Sequence, residues 1–365
     1  MNSMRQRRNR RNGRATLLLS ELAMAAFSVV LSCSATSADQ LIHLKIAGGL
    51  ASVSQYERLE RPFWERDITA LSNGRITAEI YPYDRSGLPG PEMLQLMRLG
   101  VVPFGTALLA VVAGDEPELN VVDLPALNPD MQALRKTVGA YRPRLQQILR
   151  TKFGVELLAI YSYPAQVIFC AKPLTGLNDL VGRRVRTSSV GQSEMMTALG
   201  AVPVITPFAE VVTAIRAGVV DCAITGTLSG HEIGLSDVTS YIYPMAISWG
   251  LSFFGANLAA WEAIPPDLQD TMRQAIGKLE RDIWTAAERE TADGLACDIG
   301  GAACPNGQPP GRMKLVPVTP EDEVRRRRLL VESVLPGWIQ RCGTDCIALW
   351  NQNLASVLGI AAPAD

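Results

Sequence analysis

The central part of the chain alternates short apolar runs with segments in which apolar residues recur every three or four positions. The first pattern is typical of buried strands, and the second is typical of amphipathic helices. Short crossovers of this kind indicate a parallel sheet covered by helices. The predicted strands are residues 183–187, 202–205 and 219–224, and the predicted helices are residues 192–199 and a helix with Thr206 as N-cap, Pro207 at its first position and Gly218 at its end.

The same alternation extends over the rest of the chain, which favours an α/β sheet in each half. The long helix that begins near Pro265 carries apolar residues at helical spacing over almost its whole length. Further strands are predicted at residues 41–47, 76–81, 104–110 and 157–161, and further helices at residues 91–99, 131–151, 265–292 and 321–334.

One charged residue, Arg186, stands inside an otherwise half-apolar predicted strand. It lies close to the carboxyl end of that strand, where open α/β sheets bind ligands. A guanidinium is always charged and offers two parallel donors that match a carboxylate. A salt bridge, either on the surface or between two parts of the molecule, is the alternative interpretation of the same residue.

Three motifs around Arg186 follow one another in a fixed order: Gly-x-x-Val-Arg, then Leu-Gly-Ala-x-Pro-Val, then Glu followed by Ala-Ile-x-x-Gly-Val-Val-Asp. This order resembles that of the solute-binding proteins of tripartite ATP-independent periplasmic (TRAP) transporters. The likeness extends more weakly over about residues 46–268. The matching residues are Gly182, Val185, Arg186, Leu199, Gly200, Ala201, Pro203, Val204, Glu210, Ala214, Ile215, Gly218, Val219, Val220 and Asp221.

The resemblance implies a two-lobed periplasmic binding protein fold of the α/β class. Each lobe would be a mostly parallel sheet flanked by helices, and a long helix would span the lobes. The chain would cross between lobes near Ser162 and near Ser252. Lobe I is then predicted to comprise residues 39–162 and about 253–290, and lobe II residues 163–252 and about 291–365.

The resemblance also implies that Arg186 clamps the carboxylate of a ligand. Many relatives have another arginine near Gln166, and the neutral amide here favours a monocarboxylate, with a 2-oxo, 2-hydroxy or aromatic group as possibilities. Thr225 and Thr227 could offer hydroxyls to the acid. We expect no cofactor. We also expect no metal, because this chain lacks the carboxylate that some relatives use near Thr225 to hold a cation.

Two aromatic residues, Trp249 and Phe104, are further candidates for contact with the ligand. Each follows or forms a predicted strand near the presumed cleft, where a ring could stack on an aromatic substrate. A place in the hydrophobic core is the ordinary alternative for a single aromatic residue.

The first 38 residues have the order of a secretory signal peptide: six arginines, an apolar run over residues 17–31, and small residues up to Ala38. A lipoprotein at Cys33 is the weaker alternative. Removing this segment takes the formal net charge from −1 to −6, because six arginines and one glutamate are lost. No basic patch for nucleic acid and no further membrane span is then expected, so the sequence predicts a soluble periplasmic monomer.

Six cysteines would remain after cleavage, and an oxidising compartment permits disulfides. We expect two disulfides among Cys297, Cys304, Cys342 and Cys346, with the pairing left open. A zinc site made by these four has a poor spacing match. Cys170 and Cys222 lie in apolar strands, and we expect both to be free, buried thiols.

The sequence therefore predicts a receptor that captures a small organic acid and delivers it to the membrane subunits of a TRAP transporter. Two alternatives stay open: an exported enzyme on a similar scaffold, and the ligand-binding protein of a sensor system. The enzyme has little support, since the chain has only two histidines, His43 and His231, and no Gly-x-Ser-x-Gly motif. Cys222 with His231 is the one conceivable nucleophile and base.

Overall fold

The computed structural model describes residues 41–363, apart from Asp115, residues 302–303 and residues 305–306. The predicted signal peptide, its cleavage site and Cys33 lie outside the described residues. Within them, the strands are β1 Ile42–Gly48, β2 Ile76–Pro82, β3 Phe104–Leu108, β4 Val155–Tyr161, β5 Gln166–Cys170, β6 Arg184–Thr187, β7 Val202–Ile205, β8 Cys222–Gly226, β9 Tyr241–Ser248, β10 Ser252–Asn257 and β11 Lys314–Leu315.

These strands form two sheets, each mostly parallel with one antiparallel strand. The first sheet has the order β2-β1-β3-β10-β4, and β10 runs antiparallel to both of its neighbours. The second sheet has the order β11-β9-β5-β8-β6-β7, and β5 runs antiparallel to β8 and β9. The predicted architecture of two mostly parallel α/β sheets is confirmed.

The chain passes between the sheets at two short segments. It leaves the first sheet after Tyr161 and enters the second at Gln166, and it returns between Ser248 and Ser252. The antiparallel strands β5 and β10 are the ones that directly follow these passages. The predicted assignment of the remaining segments to lobe I or lobe II stays a prediction.

Helices cover both sheets. The α-helices are α1 Ile68–Leu71, α2 Met93–Arg98, α3 Leu109–Val112, α4 Met131–Phe153, α5 Val190–Ala198, α6 Val211–Arg216, α7 Thr227–Glu232, α8 Leu258–Glu262, α9 Pro266–Asp298, α10 Pro320–Leu329, α11 Leu335–Cys342, α12 Asp345–Asn353 and α13 Ala355–Leu358. Wider π-helical turns span Gln55–Glu60, Phe63–Asp67 and Leu330–Val334, and 3-10 turns span Tyr83–Arg85, Gly90–Glu92, Pro117–Asp123, Leu177–Leu180, Phe208–Glu210 and Leu235–Asp237.

Helix α9, of 33 residues, contacts both sheet regions. Its middle packs on the first sheet, where the indole nitrogen of Trp284 donates to the carbonyl of Ile160 at 2.7 Å. Nearer its end, the Thr227 hydroxyl at the start of α7 donates to the carbonyls of Glu290 and Thr291 at 3.2 and 3.0 Å. The long helix predicted to span the lobes is therefore present.

Two predicted boundaries near Arg186 are wrong. Strand β8 begins at Cys222 and not at Val219, because Gly218 turns the chain at a φ of +66° and the Val219 N–H still donates to Ala214. Thr206 is not a helix N-cap, since Pro207 occupies that position before the turn Phe208–Glu210.

The prediction that Cys170 and Cys222 are free thiols is also wrong, because the two form a disulfide. They face each other across the antiparallel pair of β5 and β8, with Cα atoms 4.1 Å apart. The two C-terminal disulfides predicted are present, and both are local: Cys297 with Cys304 and Cys342 with Cys346.

Candidate functional site

A cavity lies between the ends of strands from the two sheets. Its lining mixes apolar residues near β1 and β3 with polar residues near β5, β6, β8 and β9. The lining residues are Leu50, Leu108, Ala110, Val111, Asp123, Tyr163, Gln166, Arg186, Ser188, Ser189, Gln192, Phe208, Thr225, Gly226, Ser229, Ser248 and Gly250.

Among the described residues, Arg186 is the only cationic member of this lining. Its side chain is held in place by backbone carbonyls: Nε donates to Thr206 at 2.8 Å and Nη1 to Ile224 at 2.7 Å. The residue is only 2% exposed. No carboxylate of the described residues forms an ion pair with it, and neither of these hydrogen bonds uses Nη2. The arrangement leaves N–H donors of a fixed guanidinium for a group inside the cavity.

Burial determines the electrostatics of this guanidinium. Loss of contact with water lowers the pKa of Arg186 to about 10, against a smaller opposing effect of nearby Tyr83. The group is therefore still charged at neutral pH. A buried charge without a partner is costly, so an anion that entered the cavity would be strongly favoured.

Gln166 belongs to a hydrogen-bonded group with Gln192 and Ser248. Its Oε1 accepts from Nε2 of Gln192 and from Oγ of Ser248, both at 2.7 Å. Oε1 of Gln192 in turn accepts from the backbone N–H of Ser188 at 2.8 Å. Since the Gln166 oxygen is occupied, its amide nitrogen is the atom left to donate to a ligand.

Gln192 and Ser248 were not anticipated from the sequence. Gln192 lies in the first turn of α5, which directly follows the strand of Arg186, so its place near Arg186 along the chain was an available signal. Ser248 ends β9 and pairs with Gln166 only through sheet register, which the sequence does not reveal.

Asp123 is the one acidic residue among the described lining residues, and its carboxylate already accepts hydrogen bonds from the backbone. It accepts the N–H groups of Trp249 and Gly250 at 2.8 Å and of Leu251 at 3.2 Å, within the segment that returns to the first sheet. Burial raises the pKa of Asp123 to about 7, although these hydrogen bonds act in the opposite direction. The carboxylate of Asp123 therefore holds the chain segment that connects the second sheet to the first.

The structure brings three of the predicted site residues to the cavity: Arg186, Gln166 and Thr225. Thr225 lies in β8, is buried, and is a neutral polar member of the lining. Their contact with a ligand stays a prediction.

The other three predicted site residues do not line the cavity. The Thr227 hydroxyl donates to α9 carbonyls, as described above. The indole nitrogen of Trp249 donates to the carbonyl of Asn128 at 3.0 Å, and its ring lies in the main hydrophobic core. Phe104 begins β3, at the opposite end from Leu108, and packs in a second core cluster.

The conceivable catalytic pair is not assembled. Cys222 is in a disulfide, and Nδ1 of His231 lies 3.0 Å from the carboxylate of Asp298, a hydrogen bond that raises the pKa of the imidazole. Among the described residues, one group of three possible metal ligands occurs, namely His231 with Cys297 and Cys304. The two cysteines of that group are joined to each other, so the sulfurs are not thiolates.

Comparison with known proteins assigns this chain to a family. Residues 51–296 match the model of the bacterial extracellular solute-binding proteins, family 7, also named DctP. The C4-dicarboxylate-binding periplasmic protein DctP of Rhodobacter capsulatus is 26% identical over 285 residues, which cover 76% of this chain and 80% of that protein.

Two solved structures show the same fold. DctP7 of Bordetella pertussis, an extracytoplasmic solute receptor binding pyroglutamic acid, gives a TM-score of 0.74 at 24% identity and covers 87% of this chain and 100% of that chain. A TRAP periplasmic solute-binding protein from Desulfovibrio salexigens with bound orotic acid gives 0.75 at 18% identity, with 86% and 99% covered.

The family is one of solute receptors and not of enzymes, and its members work outside the cytoplasm. Within the described residues, no helix combines the length and apolar character that crossing a bilayer requires. The family match spans well over half of the chain, and the resemblance found in the motifs around Arg186 is confirmed. The chain belongs to the bacterial extracellular solute-binding proteins of family 7, the receptors of TRAP transporters.

Proposed function

We propose that this protein captures a small monocarboxylate in the cavity between its sheets and delivers it to the membrane subunits of a TRAP transporter. The observation that carries the proposal is Arg186, a buried guanidinium that lines the cavity without an acidic partner among the described residues. A carboxylate at Nη2 would supply the missing countercharge and a charge-assisted hydrogen bond.

A single carboxylate fits the charges of the lining better than two. The described part of the lining contains no cation other than Arg186, and Gln166 offers only a neutral amide. A second carboxylate would share the cavity with Asp123 and would lack a positive partner, which makes its desolvation unfavourable. The names of similar proteins include both dicarboxylates and monocarboxylic acids, so this chain's own lining carries the argument.

Calorimetric titration of the purified protein tests the proposal. We expect binding of acids from a panel of 2-oxo, 2-hydroxy, cyclic and aromatic monocarboxylates, and little heat with succinate or other dicarboxylates. Tighter binding of a dicarboxylate than of any monocarboxylate would contradict the proposed ligand class. Binding of neutral amides as tightly as of the matching acids would contradict recognition by charge.

Delivery to a transporter requires an exported receptor. We propose that the signal peptide is removed after Ala38 and that the mature monomer acts in the periplasm. N-terminal sequencing of the protein recovered from the periplasm should begin at Asp39. An intact Met1 or Met4, or a lipidated Cys33, would contradict this processing.

A further inference from the structure

A second cavity lies beside the first. The two share four lining residues, Ala110 and Val111 from the first-sheet side and Ser188 and Ser189 before α5. The two cavities therefore lie next to each other. The remaining lining of the second cavity is mostly apolar: Pro91, Ala113, Gly114, Pro117, Asn120, Leu124, Val190, Gly191, Ile205, Trp338 and Arg341.

Asn120 is an unusual member of this lining. It is only 6% exposed, and its buried carboxamide oxygen has no hydrogen-bond partner within the described residues. Asn128, in the same region, is similarly buried at 3%, but both ends of its amide are bonded, to Val122 and Thr137. Since buried polar groups are nearly always paired, and the described residues supply no partner for this amide oxygen, a ligand is a candidate partner for it.

The first turn of α5 provides donors to the same cavity. Val190 and Gly191 are its first two residues, and N–H groups at these positions have no partner inside a helix. The side chain of the N-cap Ser189 is already used by the N–H of Gln192. An acceptor atom of a ligand would find these donors beside the residues that both cavities share.

Charge in the second cavity is balanced. Arg341 forms an ion pair with Glu194 of α5, and burial lowers the pKa of the arginine. No other charged residue belongs to this lining among the described residues. The cavity therefore offers no free positive charge for a second carboxylate, and it suits a neutral group that can both donate and accept.

We propose that the two cavities form one binding site, and that the ligand is an elongated monocarboxylate with a hydroxyl or amide at its far end. This inference rests on the proposed function, because Arg186 holds the carboxylate in the first cavity. The apolar middle of the ligand passes Val111, and the neutral polar end lies in the second cavity against Asn120. The structure thus assigns Asn120 as a specificity-determining residue.

Titration with two series of straight-chain acids tests this arrangement. One series runs from 3-hydroxypropanoate to 8-hydroxyoctanoate, and the other contains the plain alkanoates of equal length. In the wild type we expect affinity to rise with length. Once the chain reaches Asn120, the hydroxy acid should bind about tenfold more tightly than the alkanoate, since it satisfies a buried polar group.

Two variants and one matched control complete the experiment. Asn120→Leu should remove the advantage of the hydroxyl and leave the shortest acids unaffected. Asn128→Leu should lower thermal stability, because it breaks existing hydrogen bonds, but should preserve the hydroxyl advantage. Val190→Trp should fill the second cavity and weaken only the long acids, and Val190 does not line the first cavity.

The outcomes separate this inference from the proposed function. If affinity does not depend on length, or if Asn120→Leu keeps the full hydroxyl advantage, the second cavity takes no part in binding. Loss of all acids on Arg186→Ala would leave the proposed function standing in that case. If Arg186→Ala binds the acids normally, the proposed function itself is wrong.

Discussion

The two walls of the first cavity differ in chemistry. The wall near the second sheet carries Arg186, the hydrogen-bonded group of Gln166, Gln192 and Ser248, and several hydroxyls. The wall near the first sheet is apolar at Leu50, Leu108, Ala110 and Val111, with Asp123 as its acidic member. In the proposed function, the second-sheet wall recognises the acid, whereas the first-sheet wall encloses it.

The largest effect should come from the polar wall. Truncating one partner of a buried, hydrogen-bonded charge pair costs about 2–5 kcal/mol, so Arg186→Ala should lower affinity by about thirtyfold to several thousandfold. Arg186→Lys should lose much of this as well, because an ammonium cannot offer two parallel donors. Calorimetry on folded variants measures both losses.

Arg184 supplies the matched control for this prediction. It lies two residues earlier in the same strand, but it pairs with Asp221 at 3.1 Å and holds the pKa of that carboxyl well below its usual range. Arg184→Ala should leave affinity unchanged. An equal loss in both variants would show that strand β6, and not the guanidinium of Arg186, matters for binding.

The raised pKa of Asp123, in the wall near the first sheet, should make the free energy of unfolding depend on pH. Burial raises the pKa of Asp123 to about 7, and it likewise raises that of Glu60, which accepts hydrogen bonds from Gly49 and Gln55. A raised pKa means that the folded protein binds the proton more tightly than the unfolded chain. The stabilisation is therefore complete below about pH 4 and is lost as pH rises through about 7.

Thermal melting over the range from about pH 4 to about pH 7 measures this loss of stability. Each of the two groups should contribute a loss on the order of 2–4 kcal/mol over the interval. Glu60→Gln should reduce the slope of melting temperature against pH, whatever its effect on stability at a single pH. A wild-type protein that is more stable at pH 8 than at pH 5 would contradict the prediction.

A smaller effect is expected at Gln166, because its amide makes a neutral hydrogen bond with a ligand. Gln166→Ala should weaken binding by about twofold to tenfold, in line with about 0.5–1.5 kcal/mol for such a bond. Calorimetry with the acid used for Arg186→Ala gives the comparison. A loss as large as that of Arg186→Ala would mean that Gln166 carries the main recognition.

The smallest effect is expected in the apolar wall. Val111→Ala removes two methyl groups from the lining and should weaken binding about threefold, as expected for a small loss of buried apolar contact. Val112→Ala is the matched control, since Val112 lies in the same helix but packs in the core. It should lower the melting temperature and leave affinity unchanged.

Local patterns in the sequence were sufficient to predict the alternating elements, the long helix α9 and the position of Arg186 near a strand end. These patterns did not predict features that depend on which strands are neighbours in a sheet. The disulfide of Cys170 with Cys222 follows from the antiparallel pairing of β5 and β8, and a strand's apolar pattern does not reveal its partner.

The sequence also does not reveal where the two aromatic candidates lie relative to the cavity. Trp249 and Phe104 are close to strand ends along the chain, but the direction of a side chain depends on the packing of both sheets. Asn120 was missed for a different reason: an unpaired buried amide becomes visible only when all neighbouring donors and acceptors are known.

Mass spectrometry of ligand retained through purification tests the central claim most directly. The wild-type protein, released under denaturing conditions, should yield one small acid with a single carboxylate. Arg184→Ala should yield the same acid at similar occupancy, and Arg186→Ala should yield little or none of it. The same acid at equal occupancy in the Arg186→Ala protein would contradict recognition of a carboxylate by Arg186.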